Sequence, residues 1–227
     1  MSEFHLTILG CGSALPAKGR NPTAQLLRAG KYRILIDCGE GTQHRMRENR
    51  VKIQGITHIL ISHMHGDHYL GLMGLLFSMT LLGRTKEIVI AGPAQIQELI
   101  SMHLSHAKSG LGFSIKHIST QAKEVEEIID LPNCIISSIP LRHKIATTGF
   151  LVQEKLGPRK LISARLVQYQ VPIKVRKSLT EGADYIGENG ECIANNRLTK
   201  DPRPARSYAY CSDTAYLATL AGKISGV

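Results

Sequence analysis

The sequence predicts a layered α/β fold built on mixed sheets. Two observations carry that expectation. Apolar runs of strand length interleave with segments of helical spacing through the middle of the chain. Near the start, two strand-like runs flank the turn Ala29-Gly30-Lys31, which is a hairpin signal and therefore antiparallel. Interleaved strands and helices beside antiparallel hairpins favour layers with mixed sheets over a doubly wound parallel sheet. At 227 residues and 43% hydrophobic content the chain is long enough for a substantial core.

The elements follow in order. Residues 4–9 read as a strand, and residues 10–22 as a long loop rich in Gly and Pro. Runs 24–27 and 33–36 form the hairpin. Asp37-Cys38-Gly39-Glu40-Gly41-Thr42-Gln43 turns from strand into a helix predicted over 42–48. Backbone amides at such a start can hold an anion, although either Gly-rich loop alone is ordinary turn chemistry. A strand over 56–61 precedes a buried helix over 69–82, which is apolar on most faces. A strand at 87–91 ends at Gly92-Pro93, and Ile96, Leu99, Ile100 and Leu104 give helical spacing over 94–106. Strands recur at 114–118, 125–129, 134–139 and 148–152.

From residue 155 the character changes. Lys155, Arg159, Lys160, Arg165, Lys174, Arg176 and Lys177 occur without one Asp or Glu between them. Gly157-Pro158 and Val171-Pro172 punctuate the run, and its apolar residues are too few for a core. It reads as a basic arm over about 155–178, projecting from a single domain that spans 1–227. A charge run is ordinarily a solvated face, but the lack of any acid over this length points to anion binding. Residues 181–206 are polar and turn-rich, 207–211 form a last strand, and a helix begins in 217–224.

The formal charge of +10 favours a polyanionic partner. Five cysteines make an odd count with no CxxC spacing, which fits a reducing compartment. The N-terminus lacks the basic start and apolar run of a signal peptide, and no stretch approaches the ~20 apolar residues that span a bilayer. A cytoplasmic protein with no membrane association is expected.

The chemistry concentrates in Ser62-His63-Met64-His65-Gly66-Asp67-His68, directly after Ile59-Leu60-Ile61. Imidazole and carboxylate are ligand types suited to zinc and similar divalent ions. His63 and His65 alternate and can point together, while Asp67 and His68 reach a second point nearby. Two further residues lie just past predicted strands, His143 and Asp213. Alone, His143 is an ordinary surface histidine and Asp213 a helix N-cap; beside the cluster both become candidate ligands. His5, His44, His58, His103, His106 and His117 read as structural or solvated.

These features resemble the ribonuclease Z family of the metallo-β-lactamase fold. The resemblance is carried by residues 62–68, the 37–43 turn, the loop 16–21, Leu141-Arg142-His143, Ser212-Asp213-Thr214 and the basic insertion. It implies an αββα sandwich, two zinc ions in one cleft, a homodimer, and removal of the 3′ trailer from precursor tRNA. By residue match, His63, His65 and His143 would hold one zinc and Asp67 and His68 the other, with Asp213 bridging. The same donor set also accepts manganese or iron. Asp67 would additionally take the proton of the attacking water. Arg20 and Asn21 would border the phosphate path, and Arg159, Lys160, Arg165, Lys174, Arg176 and Lys177 would grip the tRNA. One departure stands out: the family's second zinc takes a further histidine downstream of Asp213, and here His143 is the last histidine. A chain truncated at its C-terminus, with an incomplete sandwich, weak or inactive by itself while the full-length protein is active, is the expectation. The alternatives are a small-molecule phosphodiesterase or other hydrolase of the same superfamily, a metal-dependent nuclease of other RNA or DNA, and a catalytically degenerate tRNA-binding protein.

Overall fold

The computed structural model describes residues 3–15, 17–108, 110–121 and 123–224; Pro16, in the first loop, lies outside them. The chain divides into two compact units, Met1–Gln153 with Ser207–Val227, and Glu154–Arg206.

The first unit is built on two sheets. β1 (Phe4–Gly10), β2 (Ala24–Ala29), β3 (Tyr32–Ile36), β4 (His58–Leu60), β5 (Ile88–Gly92) and β6 (Ile115–Ser119) form one sheet in that spatial order. β1, β2 and β3 are antiparallel, whereas β3 to β6 run parallel. The second sheet carries β7 (Glu126–Leu131), β8 (Cys134–Leu141), β9 (Thr147–Glu154) and a closing strand, Ser207–Tyr210. Both sheets are thus mixed or antiparallel, as the hairpin and the interleaving predict.

Side chains alternate along each strand, so each strand serves two cores. Leu35, Ile59, Ile61, Ile88 and Ile90 face α1 (Thr42–Glu48), α3 (Leu72–Leu81) and α4 (Gln95–Ala107), packing on Met46, Leu75, Leu76, Met79 and Ile96. Ile34, Ile36, Leu60 and Ala91 face the other way, onto Ile129, Ile136, Phe150, Val152 and Tyr210 of the second sheet. On that sheet's far side, Ile139, Leu141 and Leu151 meet Leu220 and Ile224, in and just after the helix Leu220–Lys223. The layer order is helix, sheet, sheet, helix.

The helix predicted over 69–82 is observed as α3, and a separate short helix, α2 (Gly66–Tyr69), precedes it, the two being broken at Gly71. The cause is close backbone approach. Gly71 donates to the Cys38 carbonyl (2.9 Å) and Cys38 donates to that of His68 (2.7 Å). A Cβ on Gly71 would stand 2.1 Å from the Gly39 carbonyl oxygen. The chain after β3 is therefore stitched to the chain after β4, which brings two strand ends of the parallel sheet into one site.

The second unit has its own core of Leu166, Val171, Leu179, Tyr185, Ile193 and Leu198. The basic segment 155–178 is its first half. The expectation of too few apolar residues for a core is corrected by partners from 179–198, which the sequence presents as polar and turn-rich. Two short ladders, Lys160–Leu161 with Thr199–Lys200 and Tyr185–Ile186 with Cys192–Ile193, frame it. Asn195 donates to the carbonyls of Leu179 (2.8 Å) and Ala183 (2.6 Å). The buried Glu154 carboxylate is held by Arg203 and Arg206 at 2.6–2.9 Å.

Candidate metal centre

Four chain segments end at one place. His63 and His65 follow β4, Asp67 and His68 lie in α2, His143 follows β8, and Asp213 follows the closing strand. Residues just past buried strands are positioned by rigid elements.

His63 Nε2 lies 3.0 Å from His65 Nδ1, which lies 3.2 Å from His143 Nε2. Asp213 Oδ2 is 3.8 Å from His143 Nε2 and also 3.8 Å from His68 Nε2. His68 Nε2 is 3.6 Å from Asp67 Oδ2. One donor atom each from His63, His65, His143 and Asp213 fall within 4.8 Å of one another. Asp213 thus stands between the three-histidine group and the His68–Asp67 pair.

Hydrogen bonds fix which ring nitrogens face inward. Ser62 Oγ has one proton, and Asp37 Oδ2 at 2.9 Å takes it. Its lone pairs then accept from Ser212 Oγ (3.0 Å) and from His63 Nδ1 (3.0 Å). His63 Nε2 is left bare and pointed at the cluster. His68 Nδ1 donates to Asp37 Oδ2 at 2.7 Å, which leaves its Nε2 bare as well. Carboxylate–histidine pairs of this kind set the tautomer and ring orientation of metal-bound histidines.

The charge state of His63 agrees with that use. Burial, helped by the neighbouring His68, pushes His63 down to about 4, so the ring is neutral at pH 7. Burial alone would lower His68 too, but the hydrogen bond and charge of Asp37, with Asp67 and Asp213, outweigh it and raise the pKa.

The donor set fits a divalent ion. In a tetrahedral site with zinc–nitrogen bonds of about 2.0–2.1 Å, ligand nitrogens stand about 3.3 Å apart. The observed 3.0 and 3.2 Å spacings match. A cavity of about 250 Å³ opens beside the centre, lined by Cys11, Asp67, His68, Tyr210 and Asp213 among others.

The substrate-side candidates are scattered. Arg20 is exposed on the first loop, and Asn21 lies by the Gly41 turn. That loop reaches the centre through Ala14, whose N–H donates to Asp67 Oδ2 at 2.9 Å. In the second unit, Arg159 is committed to Asp201 (2.5 Å) and Thr199 (2.7 Å), and Arg176 is half-buried. Lys160, Arg165, Lys174 and Lys177 are exposed.

Sequence reasoning missed the residue that organises the centre. Asp37 is fully buried and accepts four hydrogen bonds, from Ser62 N, Ser62 Oγ, His68 Nδ1 and, at 2.6 Å, Tyr210 Oη. Its φ of 55° is left-handed, a conformation that Asp tolerates better than most residues. The available signal was an acid directly after a strand neighbouring the one that precedes the histidines.

The fold and donor set define a metal-dependent hydrolase of the metallo-β-lactamase fold. Residues 4–156 match the family described as anti-Pycsar protein Apyc1. Ribonuclease Z of Bacteroides thetaiotaomicron is 40% identical over 227 residues, covering all of this chain and 72% of that protein. Ribonuclease Z of Bacteroides fragilis is 39% identical, covering all of this chain and 75% of that protein. The short form of human tRNase Z superposes with a TM-score of 0.60 at 30% identity, over 66% of this chain and 64% of that one. The fold alone is shared with the metallo-β-lactamase fold protein YhfI of Bacillus subtilis, at TM-score 0.53 and 20% identity over 66% of this chain and 58% of that one. The chain belongs to the ribonuclease Z family. It spans about three quarters of the length of these bacterial relatives.

Proposed function

We propose that the protein is a zinc-dependent endoribonuclease that removes the 3′ trailer from precursor tRNA by hydrolysing one phosphodiester bond. The observation that carries this reading is the convergence of His63, His65, His143 and Asp213 in a chain whose full length aligns with ribonucleases Z. Two zinc ions would be held there, one by His63, His65 and His143, the other by Asp67 and His68, with Asp213 shared. Bound, they would supply positive charge at the phosphate and acidify a water molecule.

The protein's own groups do the rest. Asp67, oriented by the Ala14 N–H, accepts the proton of the attacking water. Asp37 and Ser62 keep His68 and His63 in the ligating tautomer. The second unit, with eleven Lys and Arg against six Asp and Glu, carries half of the chain's net +10 and would bind the tRNA backbone. Lys160, Arg165, Lys174 and Lys177 are the exposed cations for that role; Arg159 and Arg176 chiefly brace the unit. Arg20 and Asn21 would border the phosphate path.

A homodimer belongs to the same reading, supported by the exposed Leu70, Leu81 and Leu82. So does a cytoplasmic location: among the described residues no helix is long and apolar enough to cross a membrane, and all five cysteines are free thiols.

The test compares trailer release from a precursor tRNA with turnover of a chromogenic phosphodiester, each with zinc and with a chelator. Zinc-dependent trailer release supports the proposal. Diester turnover without tRNA cleavage would identify a small-molecule phosphodiesterase instead, and tight tRNA binding with neither activity a degenerate binding protein.

A further inference from the structure

We infer that the unit Glu154–Arg206 holds a pocket for one unpaired guanine base of RNA. The inference rests on the RNA-processing reading and adds base recognition to it. Gripping a phosphate backbone needs only surface cations. One crevice in this unit is built differently. It has a volume of about 330 Å³ and lies between the end of the helix Ser163–Gln168 and the hairpin of Tyr185–Ile186 and Cys192–Ile193.

Its floor is Tyr185 and Ile193, 8% and 4% exposed. Tyr185 is thus more than nine-tenths buried, yet its hydroxyl makes no hydrogen bond with any described residue and is not sealed from solvent. With no protein partner and access to solvent, the hydroxyl of this crevice-lining residue is available to an acceptor from outside. The wall is Tyr169. Arg197 Nη2 donates to its Oη at 2.5 Å, and the guanidinium stands 5.4 Å from the ring centroid. That bond pins the ring where it lines the crevice, from which Arg197 itself is absent, and an aromatic ring so placed is a surface for stacking.

The rim carries Glu188 and Glu191 on an exposed turn closed by Gly190 N–H to the Gly187 carbonyl (3.0 Å). Neither carboxylate has an ion-pair partner among the described residues. In a unit otherwise rich in cations, two free carboxylates repel phosphate and accept from N–H groups. Unpaired bases in RNA are read by stacking on aromatic rings and by hydrogen bonds to their Watson–Crick edge. Guanine alone puts two adjacent donors there, N1–H and N2–H, which match the two oxygens of one carboxylate. Its O6 and N7 are acceptors suited to the Tyr185 hydroxyl.

The experiment measures fluorescence anisotropy of the full chain with labelled RNA pentamers, oligo-U carrying a central G, A, C or U, and with precursor tRNA as reference. The guanine probe should bind about tenfold more tightly than the others, the range of a single bidentate contact. The double variant Glu188→Gln with Glu191→Gln lies on an exposed turn. It should bring guanine level with the other bases and leave the salt dependence of tRNA binding unchanged. Equal binding of all four probes by the unaltered chain, with normal salt dependence, would overturn the pocket and leave the cationic role of the unit standing. Guanine preference that survives in the double variant would also overturn it. Failure to bind any probe or the tRNA would instead remove the RNA reading beneath it.

Discussion

Replacing Asp37 by Asn isolates what holds the metal centre in shape. The carboxylate is fully buried and spends both oxygens on donors. Oδ1 accepts from Ser62 N at 2.8 Å; Oδ2 accepts from Ser62 Oγ at 2.9 Å, His68 Nδ1 at 2.7 Å and Tyr210 Oη at 2.6 Å. An amide has one acceptor oxygen, which will take the Oδ2 position where three donors converge. Its NH₂ then faces the Ser62 N–H, donor against donor. Leaving that buried N–H unsatisfied costs about 1–3 kcal/mol, and the three remaining bonds weaken as their acceptor loses its charge. A total near 4 kcal/mol is a large part of a typical domain's stability. The centre should suffer separately, because His68 and His63 both take their tautomer from this network. Loss of such a partner lowers metal affinity by about 10- to 100-fold. Urea unfolding of the metal-free protein measures the first effect, and zinc competition against a chromophoric chelator the second. Lost stability with unchanged zinc affinity would show that Asp37 braces the fold without orienting the ligands; no change in either would refute the network.

Four other outcomes follow from the same geometry. Tyr210→Phe removes one donor from Asp37 and should cost about 1 kcal/mol in urea unfolding, with a smaller loss of zinc affinity than Asp37→Asn. His143→Ala should abolish trailer cleavage and weaken zinc binding while the unfolding midpoint of the metal-free protein stays put, since this side chain is partly exposed on a loop. Burial alone would raise the Glu154 pKa, but hydrogen bonds from Arg206 and Arg203 hold it far below the ordinary carboxylate value of 4.5. A depressed carboxylate stabilises the fold above that pH and loses the contribution as pH falls, so Glu154→Gln should lower the thermal midpoint at pH 7, with the gap to wild type shrinking progressively below pH 4.5. Replacing residues 155–205 by a short Gly/Ser linker should raise KM for precursor tRNA and spare a small phosphodiester, as kinetics on both substrates would read.

Local pattern made much of this molecule legible. The hairpin turn at Gly30, the helix over 42–48 and the strands at 88–92 and 115–119 depend on short-range periodicity and turn chemistry. The candidate metal ligands could be picked out for the same reason, because four of the six fall within six residues. What was hidden is long-range. Asp37 looks like the first residue of a Gly-rich turn until β3 and β4 are laid side by side, and Tyr210 contacts it across 173 positions. The break at Gly71 follows from contact with Gly39, not from the apolar run around it. The core of the second unit escaped because its members are spread over short elements and no single window shows a period.

The closing strand explains how the second unit can be inserted into the sheet that positions Asp213 without breaking its register. Gln153 and Ser207 are register partners, so the chain leaves for the second unit and returns on one rung. Beyond that rung, alternate residues share a face. Tyr208 Oη donates to Gln25, Tyr210 Oη to Asp37, and Ser212 Oγ to Ser62. Asp213 follows as a donor to the centre. A slip of one residue would turn all three side chains to the opposite face and carry Asp213 about 3.3 Å along the strand, far outside ligand distance. The three bonds hold the register against that slip. The position of Asp213 is therefore set by the rung at which the sheet closes, not by the length of chain between residues 154 and 206.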